Sequence, residues 1–459
     1  MPHPRRAIAG AALALALAYS AAHFAISGVR NALATPNNGQ VEEEYEVLRK
    51  HLATGRPIHI EQPRQYGPTF ILSMHALLKA CGGDGPCVLR SLYALQLVGA
   101  AIAFACCWLS LRLWIARVWP DALDRVDLAA VAVLLVVLWS NFAPLLAIIA
   151  TKNVETWEIS LLCAALYAYL RERRVVAGAL VAAAALIKLL PFAIFFYFLL
   201  VDRRALAYAS AAALVILAVA HALYGPEMGL MYLVNIGIGA AAPASFGNVP
   251  AALAWHENVS LKGIVAKMFG HLELPRSSAP RLGVYEQVGY VTVAEPRLHF
   301  WGNLVSSAVQ AAAIVWMTWV IAARTHTAAM VRESRVLWEW SFVTVMMLIV
   351  APQTAIDYEM LALVAFSFVL VAGLVLPPAR RDAAMWACYA AAVLLVGNIV
   401  PRSLVVRASL VTVLMNWSGY THLKPLEGYS YYGYPLLGML LMTAALMRLS
   451  RSLAAPQPV

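Results

Sequence analysis

Long apolar segments recur along this chain from one end to the other, and they restrict it to one kind of fold. Of its 459 residues, 62% are hydrophobic and 13% are charged, whereas a soluble domain has about 25% charged residues. Apolar segments lie at 7–26, 89–113, 127–149, 155–170, 174–188, 190–202, 205–223, 302–323, 337–351, 357–376, 384–400 and 431–448. Such segments cross a bilayer as helices, which satisfy their own backbone hydrogen bonds. The sequence therefore predicts an all-α polytopic membrane protein, a single domain over 1–459 with about twelve spans.

Arginine placement predicts the orientation of these spans. If the spans alternate in direction, the arginine clusters of the short connections all fall on one side: Arg5/Arg6, Arg112/Arg117/Arg125, Arg171/Arg173/Arg174, Arg203/Arg204, Arg324/Arg332/Arg335, Arg380/Arg381 and Arg448/Arg451. Basic residues in short loops mark the cytoplasmic side, so we expect both termini in the cytoplasm of a cell membrane protein. The longer loops 27–88, 224–301 and 401–430 then lie outside. The net charge of +10 fits contact with anionic lipid, and no nucleic-acid-binding pattern accompanies it.

The stretch 174–202 decides the orientation of everything after it. A single helix of this length would measure about 43 Å, more than the roughly 30 Å that a bilayer core requires. Arginines stand at both of its ends, while Lys188 and Pro191 interrupt its middle. A hairpin of two short helices keeps both arginine clusters on the same side. We therefore predict a hairpin with Lys188 at its outer tip.

The loop 27–88 is expected to form helices at the outer membrane surface. One helix is predicted over about 43–53, where Gly55 ends it. The segment 66–80 is apolar but too short for a span, and counting it as one would break the alternation. We therefore place it as an interfacial helix.

The six cysteines do not form a disulfide framework, because four of them lie inside apolar segments. Cys81 and Cys87 bracket a polar turn rich in glycine. If that turn is outside the cytoplasm, a disulfide between them is compatible with the compartment.

The first outer loop contains a cluster of acidic residues. Glu42, Glu43 and Glu44 stand together before Tyr45. Acids suit the positive end of a helix dipole, which requires no function. The functional interpretation is that one of them is a general base and a neighbour orients the acceptor or binds a divalent cation. The sequence leaves open which acid is the base.

Lys188 is the most informative single residue. Two helices of about 13 residues reach only some 20 Å, so the tip of the hairpin lies below the outer surface. A lysine there needs an anionic partner, unless its side chain reaches the interface. That partner is either a carboxylate of the protein, such as Glu155 or Glu158, or a phosphate on a ligand. With the first-loop acids and Asp357, ionisable residues from four segments lie at one outer level.

A series of motifs along the chain resembles that of the GT-C glycosyltransferases, specifically the polyprenol-phosphate-mannose-dependent transferases of glycosyltransferase family 87. The matching motifs are an acidic first loop running into "YEVLRKHLATGRPI" and "QYGP", then "NVE", "AGALVAAAALIKLLPF…LLVDRR", "NVSLKG" and "APQTAIDYEML". The stretch across the hairpin is the most specific. The resemblance implies a GT-C-like bundle with long extracytoplasmic loops after spans 1 and 7.

The resemblance also implies an activity and a distribution of roles. The enzyme would transfer a sugar, mannose by resemblance, from a polyprenyl-phosphate donor to a glycan or glycolipid acceptor at the outer face. A first-loop carboxylate would deprotonate the acceptor, while Lys188 and Arg64 would bind the donor phosphate. Residues assigned to substrate binding are Tyr45, Tyr66, Asn153, Glu155, Asn258, Ser260 and Asp357. The resemblance implies no definite cofactor and leaves open whether a divalent cation assists.

The sequence departs from the family in its catalytic loop. The family usually has Asp followed by Tyr, whereas Glu42-Glu43-Glu44-Tyr45 stands here as a Glu-x-Glu-Tyr version of the related Asp-x-Asp-Tyr pattern. Glu and Asp have similar basicity, so the exchange is chemically sound. The competing hypothesis is a non-enzymatic transporter or flippase for lipid-linked glycans. That protein would bind phosphate but would not need the first-loop carboxylates.

Overall fold

The fold is a bundle of apolar helices. The structure, a computed structural model, describes residues 4–34, 39–58, 66–120, 127–234, 259–267, 271–273, 290–292, 296–324, 326–351, 354, 356–397 and 434–454. The helices are α1 (Pro4–His23), α2 (Gly39–Thr54), α3 (Pro68–Ala80), α4 (Gly85–Val118), α5 (Leu128–Asn141), α6 (Ala143–Thr151), α7 (Glu155–Leu170), α8 (Arg174–Ala185), α9 (Phe192–Val201), α10 (Arg203–Tyr224), α11 (Leu261–Lys267), α12 (Pro296–Ala323), α13 (Arg332–Val350), α14 (Leu363–Val375), α15 (Ala383–Ala392) and α16 (Tyr434–Ala454).

Several of these helices are long and apolar enough to cross a membrane. In the described part of the chain six pass on length and composition: Gly10–Leu33, Gly85–Val118, Arg203–Tyr224, Leu304–Ala323, Tyr358–Val375 and Tyr434–Ala454. Helices α5 and α6 make a seventh if they count as one span bent by 53°. Pro144 explains the bend, because proline lacks an N–H and its ring obstructs the preceding turn. The polytopic helical membrane fold is thus confirmed, while the count of twelve spans stays a prediction.

The structure differs from the sequence-based expectation at the outer loops. The first helix does not end near residue 26 but continues through a π-helical stretch, Phe24–Arg30, to a last turn, Asn31–Ala34. In the second outer loop, β1 (His271–Glu273) pairs antiparallel with β2 (Tyr290–Thr292), so that loop is not purely helical. Local hydrophobic patterns mark spans well, but three-residue strands carry almost no pattern of their own.

The stretch 174–202 folds back on itself, as predicted. Arg174 at the start of α8 and Asp202 just after α9 form an ion pair with Nε and Oδ2 2.7 Å apart. A straight helix would separate these ends by about 43 Å. Gly178 of α8 lies so close to the first turns of α10 that an added Cβ would meet the backbone N of Ala209 at 2.7 Å. Both ends of the hairpin therefore lie at one level, and residues 186–191 form its tip.

Contacts join the connections that the arginine pattern had placed on one side. They are Arg117 with Glu333 (3.0 Å), Arg332 with Glu172 (3.3 Å), Arg174 with Asp202 (2.7 Å), Arg448 with Asp382 (2.7 Å), and Arg380 with the ring of Trp119 (5.6 Å). We call this end of the bundle the basic face. The positive-inside rule predicts that the basic face is cytoplasmic.

The Asp202 carboxylate anchors the hairpin at the basic face. Burial by itself opposes its ionisation, but hydrogen bonds from Arg174, the N–H of Ala205 and Tyr169 outweigh it and lower its pKa. The contribution of this group to stability is therefore complete above the ordinary pKa of an aspartate and is lost only as the pH falls through the lowered value. At neutral pH the Asp202 carboxylate is therefore ionised, and its ion pair with Arg174 joins the two ends of the hairpin.

The core lies around α13 and α14, which are buried along nearly their whole length. Buried indole N–H groups find acceptors across helices: Trp114 donates to Ser334 at 2.8 Å, and Trp139 donates to Ser367 at 2.9 Å. The outer helices expose large apolar side chains, among them Leu214 of α10. Such exposure is costly in water but ordinary in contact with lipid tails.

Candidate functional site

The hairpin tip holds Lys188 inside the protein. Helix α8 ends at Ala185, and Pro191 stands at the N-cap of α9, where its missing N–H costs no hydrogen bond. Between them Lys188 is only 6% exposed. A charged ammonium at this depth requires anionic or dipolar partners.

Lys188 has partners from three other segments of the chain. Its ammonium donates a hydrogen bond to the carboxylate of Glu155, the first residue of α7, and another to the Tyr358 hydroxyl at 2.8 Å. It also lies 4.9 Å from the ring centre of Tyr66 and 4.5 Å from that of Tyr358, within the range of cation–π attraction. We call Tyr66, Glu155, Lys188 and Tyr358 the tip cluster.

The first outer loop docks on the hairpin tip through its backbone. The N–H of Gly67 donates to the carbonyl of Ile187 at 2.8 Å, and that of Thr69 donates to Leu186 at 3.1 Å. The Tyr66 hydroxyl donates to Asn153 Oδ1 at 2.7 Å. Residues 66–69 thus join the tip to the chain just before α7.

Gly67 is required there for close approach. An added Cβ would lie 2.6 Å from the Tyr232 hydroxyl and closer still to the carbonyl oxygen of Leu186. We expect Gly67→Ala to push the loop off the tip, at a cost of about 1–3 kcal/mol in the free energy of unfolding. Thermal unfolding of the purified variant measures this loss. Gly10→Ala is the control, since nothing lies within 4 Å of an added Cβ at Gly10. An unchanged melting temperature for Gly67→Ala would contradict this packing.

A second buried acid accompanies the tip cluster. Glu158 follows Glu155 by one helical turn and is fully buried. Neither of its carboxylate oxygens has a hydrogen-bond partner among the described residues, although Glu158 interacts electrostatically with Lys188 and Glu155. Of these two acids, Glu155 forms the ion pair with Lys188. An acid left without hydrogen bonds in an apolar interior is expensive and points to a function.

The structure separates the three first-loop acids. On α2 the buried face consists of Val41, Glu44, Tyr45 and Leu48, spaced as a helix requires. Glu42 and Glu43 are exposed, because they fall on the opposite face.

Glu44 is the buried one of the three first-loop acids. It interacts electrostatically with the hydroxyl of Tyr232, which also interacts with Glu158 and Lys188. That hydroxyl is fully buried beside Gly67 and has no hydrogen-bond partner among the described residues. Tyr232 therefore lies beside the loop that docks on the hairpin tip and within electrostatic range of Glu44.

The loop after α3 contains the disulfide that the sequence left open. Cys81 and Cys87 are bonded, with their Cα atoms 5.8 Å apart. The Tyr45 ring packs on this turn, next to Gly85. Tyr45 thus belongs to the contact between α2 and the start of α4.

Of the other residues expected at the site, the structure describes only some. Arg64 and Asn258 lie outside the described residues, and so does the side chain of Asp357, although its backbone forms part of the 3-10 helix Ile356–Ala362. Ser260 caps α11, since its Oγ accepts the N–H of Gly263 at 3.0 Å. The N–H of Val259 donates to Thr354 at 2.7 Å, which ties this loop to the segment before Tyr358.

Sequence reasoning did not select two tyrosines that the structure places at the site, Tyr358 and Tyr232. Tyr358 directly follows the selected Asp357, so that motif did carry a signal. Tyr232 stands in a long loop with no pattern to distinguish it. Both are recognised by contacts between segments far apart in the chain.

In the ranges that the structure describes, three or more His, Cys, Asp or Glu residues are nowhere arranged to hold a metal ion. The tip cluster has one carboxylate, that of Glu155, and this carboxylate pairs with Lys188, whereas Mg²⁺ and Ca²⁺ are bound by several oxygen ligands.

The comparisons with known proteins identify the family. The sequence model of glycosyltransferase family 87 matches residues 66–352, well over half of the chain. No curated protein matches it. The matched range begins at Tyr66 and includes Glu155, Glu158 and Lys188, whereas the first-loop acids precede it and Tyr358 follows it. With its bundle of apolar helices and the hairpin motif at its centre, this chain belongs to glycosyltransferase family 87.

Proposed function

We propose that this glycosyltransferase transfers a sugar, with mannose as the first candidate, from a polyprenyl-phosphate donor to a glycan or glycolipid acceptor at the outer face of a cell membrane. The observation that carries the proposal is the tip cluster. It joins Lys188 to the first outer loop, to the start of α7 and to the segment before α14. A sunken cation at the end of a short hairpin suits a phosphate that is anchored in the bilayer by its lipid chain.

Lys188 is the proposed partner of the donor phosphate. In the structure its charge is balanced by Glu155, so donor phosphate would have to replace that carboxylate. Arg64, two residues before Tyr66, is a second proposed phosphate ligand. As the bond from the anomeric carbon to the phosphate oxygen breaks, the phosphodiester becomes a monoester and gains negative charge. An ammonium fixed at this position stabilises that charge where it develops.

Glu44 is the proposed general base. It takes the proton of the acceptor hydroxyl while the hydroxyl oxygen forms the new bond to the anomeric carbon, and the electron pair of the broken bond leaves with polyprenyl phosphate. Among the three first-loop acids, burial and the electrostatic interaction with Tyr232 favour Glu44. Glu42 and Glu43 remain the alternatives.

The other proposed contacts surround this reaction centre. Tyr66 and Glu155 contact Lys188, and Asn153 accepts a hydrogen bond from Tyr66, so these three residues are proposed to bind the sugar. Tyr45, Asn258, Ser260 and Asp357 come from outer loops and are proposed for the acceptor side. Family membership favours an enzyme over the transporter or flippase, since the match covers the hairpin itself.

The donor is tested with purified protein and radiolabelled polyprenyl-phosphate-mannose over a panel of acceptors. We expect label in the acceptor without any nucleotide sugar. In sealed vesicles of right-side-out orientation, a soluble acceptor analogue added outside should become labelled. Transfer from a nucleotide sugar alone would contradict the proposed donor, and labelling only in inverted vesicles would contradict the proposed face.

A further inference from the structure

A groove opens on the bundle at the end opposite to the tip cluster. It lies between α4, α7 and α8 and encloses about 240 Å³. Its walls are mainly apolar and include Cys106, Ala164, Val176 and Leu180. Arg171 and Arg173 stand at its rim, in the turn between α7 and α8. The groove thus combines an apolar channel between helices with a cationic end.

The two rim arginines take no part in the ion pairs that the described residues form at the basic face. Glu172 between them adopts a left-handed backbone with φ of 61° and pairs with Arg332 at 3.3 Å. Arg174 pairs with Asp202. For the side chains of Arg171 and Arg173, which are exposed, the described part of the chain provides no carboxylate partner. Two exposed cations therefore line the groove.

We propose that this groove binds one anionic phospholipid of the leaflet at the basic face. Its phosphate would lie between Arg171 and Arg173, and one acyl chain would lie against Ala164 and Leu180. Basic pockets between membrane helices on the cytoplasmic side suit lipid phosphate groups. Guanidinium groups bind phosphate with more than one hydrogen bond each. A soluble anion would leave the apolar walls of the groove unused.

The test titrates phosphatidylglycerol against the purified full-length protein in phosphatidylcholine nanodiscs, with thermal unfolding as the readout. We expect the lipid to raise the melting temperature of the unmodified protein. In Arg171→Gln/Arg173→Gln the apparent affinity should fall about thirtyfold, since each basic residue contributes about 1 kcal/mol to such contacts. Ala164→Phe keeps both arginines but fills the groove, and it should weaken binding as well.

The matched control is Arg203→Gln/Arg204→Gln, which removes the same charge from the basic face but does not line the groove. Its affinity should stay close to that of the unmodified protein. An equal loss in this control would reduce the effect to general attraction and overturn the proposal. So would an unmodified protein without a response, full binding by Ala164→Phe, or equal stabilisation by inorganic phosphate.

Discussion

Lys188→Ala should abolish most transfer and also destabilise the protein, and the two losses should be separable. Removing the ammonium leaves Glu155 buried without its partner, at a cost of about 3–5 kcal/mol in the free energy of unfolding. Adding Glu155→Gln removes that unpaired charge, so the double variant should recover much of the stability. Since Glu155 is itself proposed to bind the sugar, the reference is Glu155→Gln alone, and if Lys188 binds the donor phosphate, turnover of the double variant should stay at least about a hundredfold below it.

The measurements are thermal unfolding and the apparent donor affinity of the purified variants. Lys188→Arg keeps the charge but not the compact ammonium, so it should retain part of the activity. Arg174→Ala is the control for breaking an ion pair elsewhere. Its partner Asp202 lies at the basic face and the pair is partly exposed, so it should cost no more than about 1 kcal/mol and leave transfer intact. Normal donor affinity in Lys188→Ala/Glu155→Gln would reduce Lys188 to a structural role.

Glu44→Gln should lower the rate of transfer by about 10²–10⁴, the usual contribution of a general base. Glutamine keeps the size of the side chain, so the buried face of α2 and the amount of folded protein should change little. Glu42→Gln and Glu43→Gln are the matched controls on the same helix, because both residues are exposed. We expect them to stay within about threefold of the unmodified enzyme.

Initial rates at saturating donor, with the amount of folded protein measured in parallel, decide this assignment. A large loss in Glu42→Gln or Glu43→Gln with normal transfer by Glu44→Gln would move the base to the exposed face of α2. Mild effects of all three substitutions would reject a first-loop base altogether and leave the flippase hypothesis as the better account.

Much of the architecture was predictable because its energetic causes are local in sequence. Apolar runs must leave water, and arginines near their ends resist transfer across the bilayer. These two rules predicted the helical bundle, and they placed Arg117, Arg174 and Arg448 at one face. They also predicted that 174–202 would form a hairpin, which the ion pair of Arg174 with Asp202 confirms.

The chemistry at the outer end depended on contacts that the local pattern does not contain. The sequence placed ionisable residues at one level but left open whether Lys188 has a protein partner, and the structure pairs it with Glu155. The sequence motif left open which of the three acids is the base, whereas packing on α2 buries only Glu44. Tyr232 gained its position from the fold alone.

At the basic face, Glu339 also differs between what the sequence pattern indicates and what the structure shows. Its spacing from Arg335 indicates an ordinary pair along one helix, yet it is buried and accepts hydrogen bonds from Tyr197 at 3.1 Å and Thr327 at 3.2 Å. The sequence by itself determined that the chain forms a bundle of apolar membrane helices with positive charge at one end, because hydrophobic transfer and charge exclusion act on each segment separately. Only the tertiary structure decided which side chains share a buried charge, because that free energy arises when segments distant in the chain pack together.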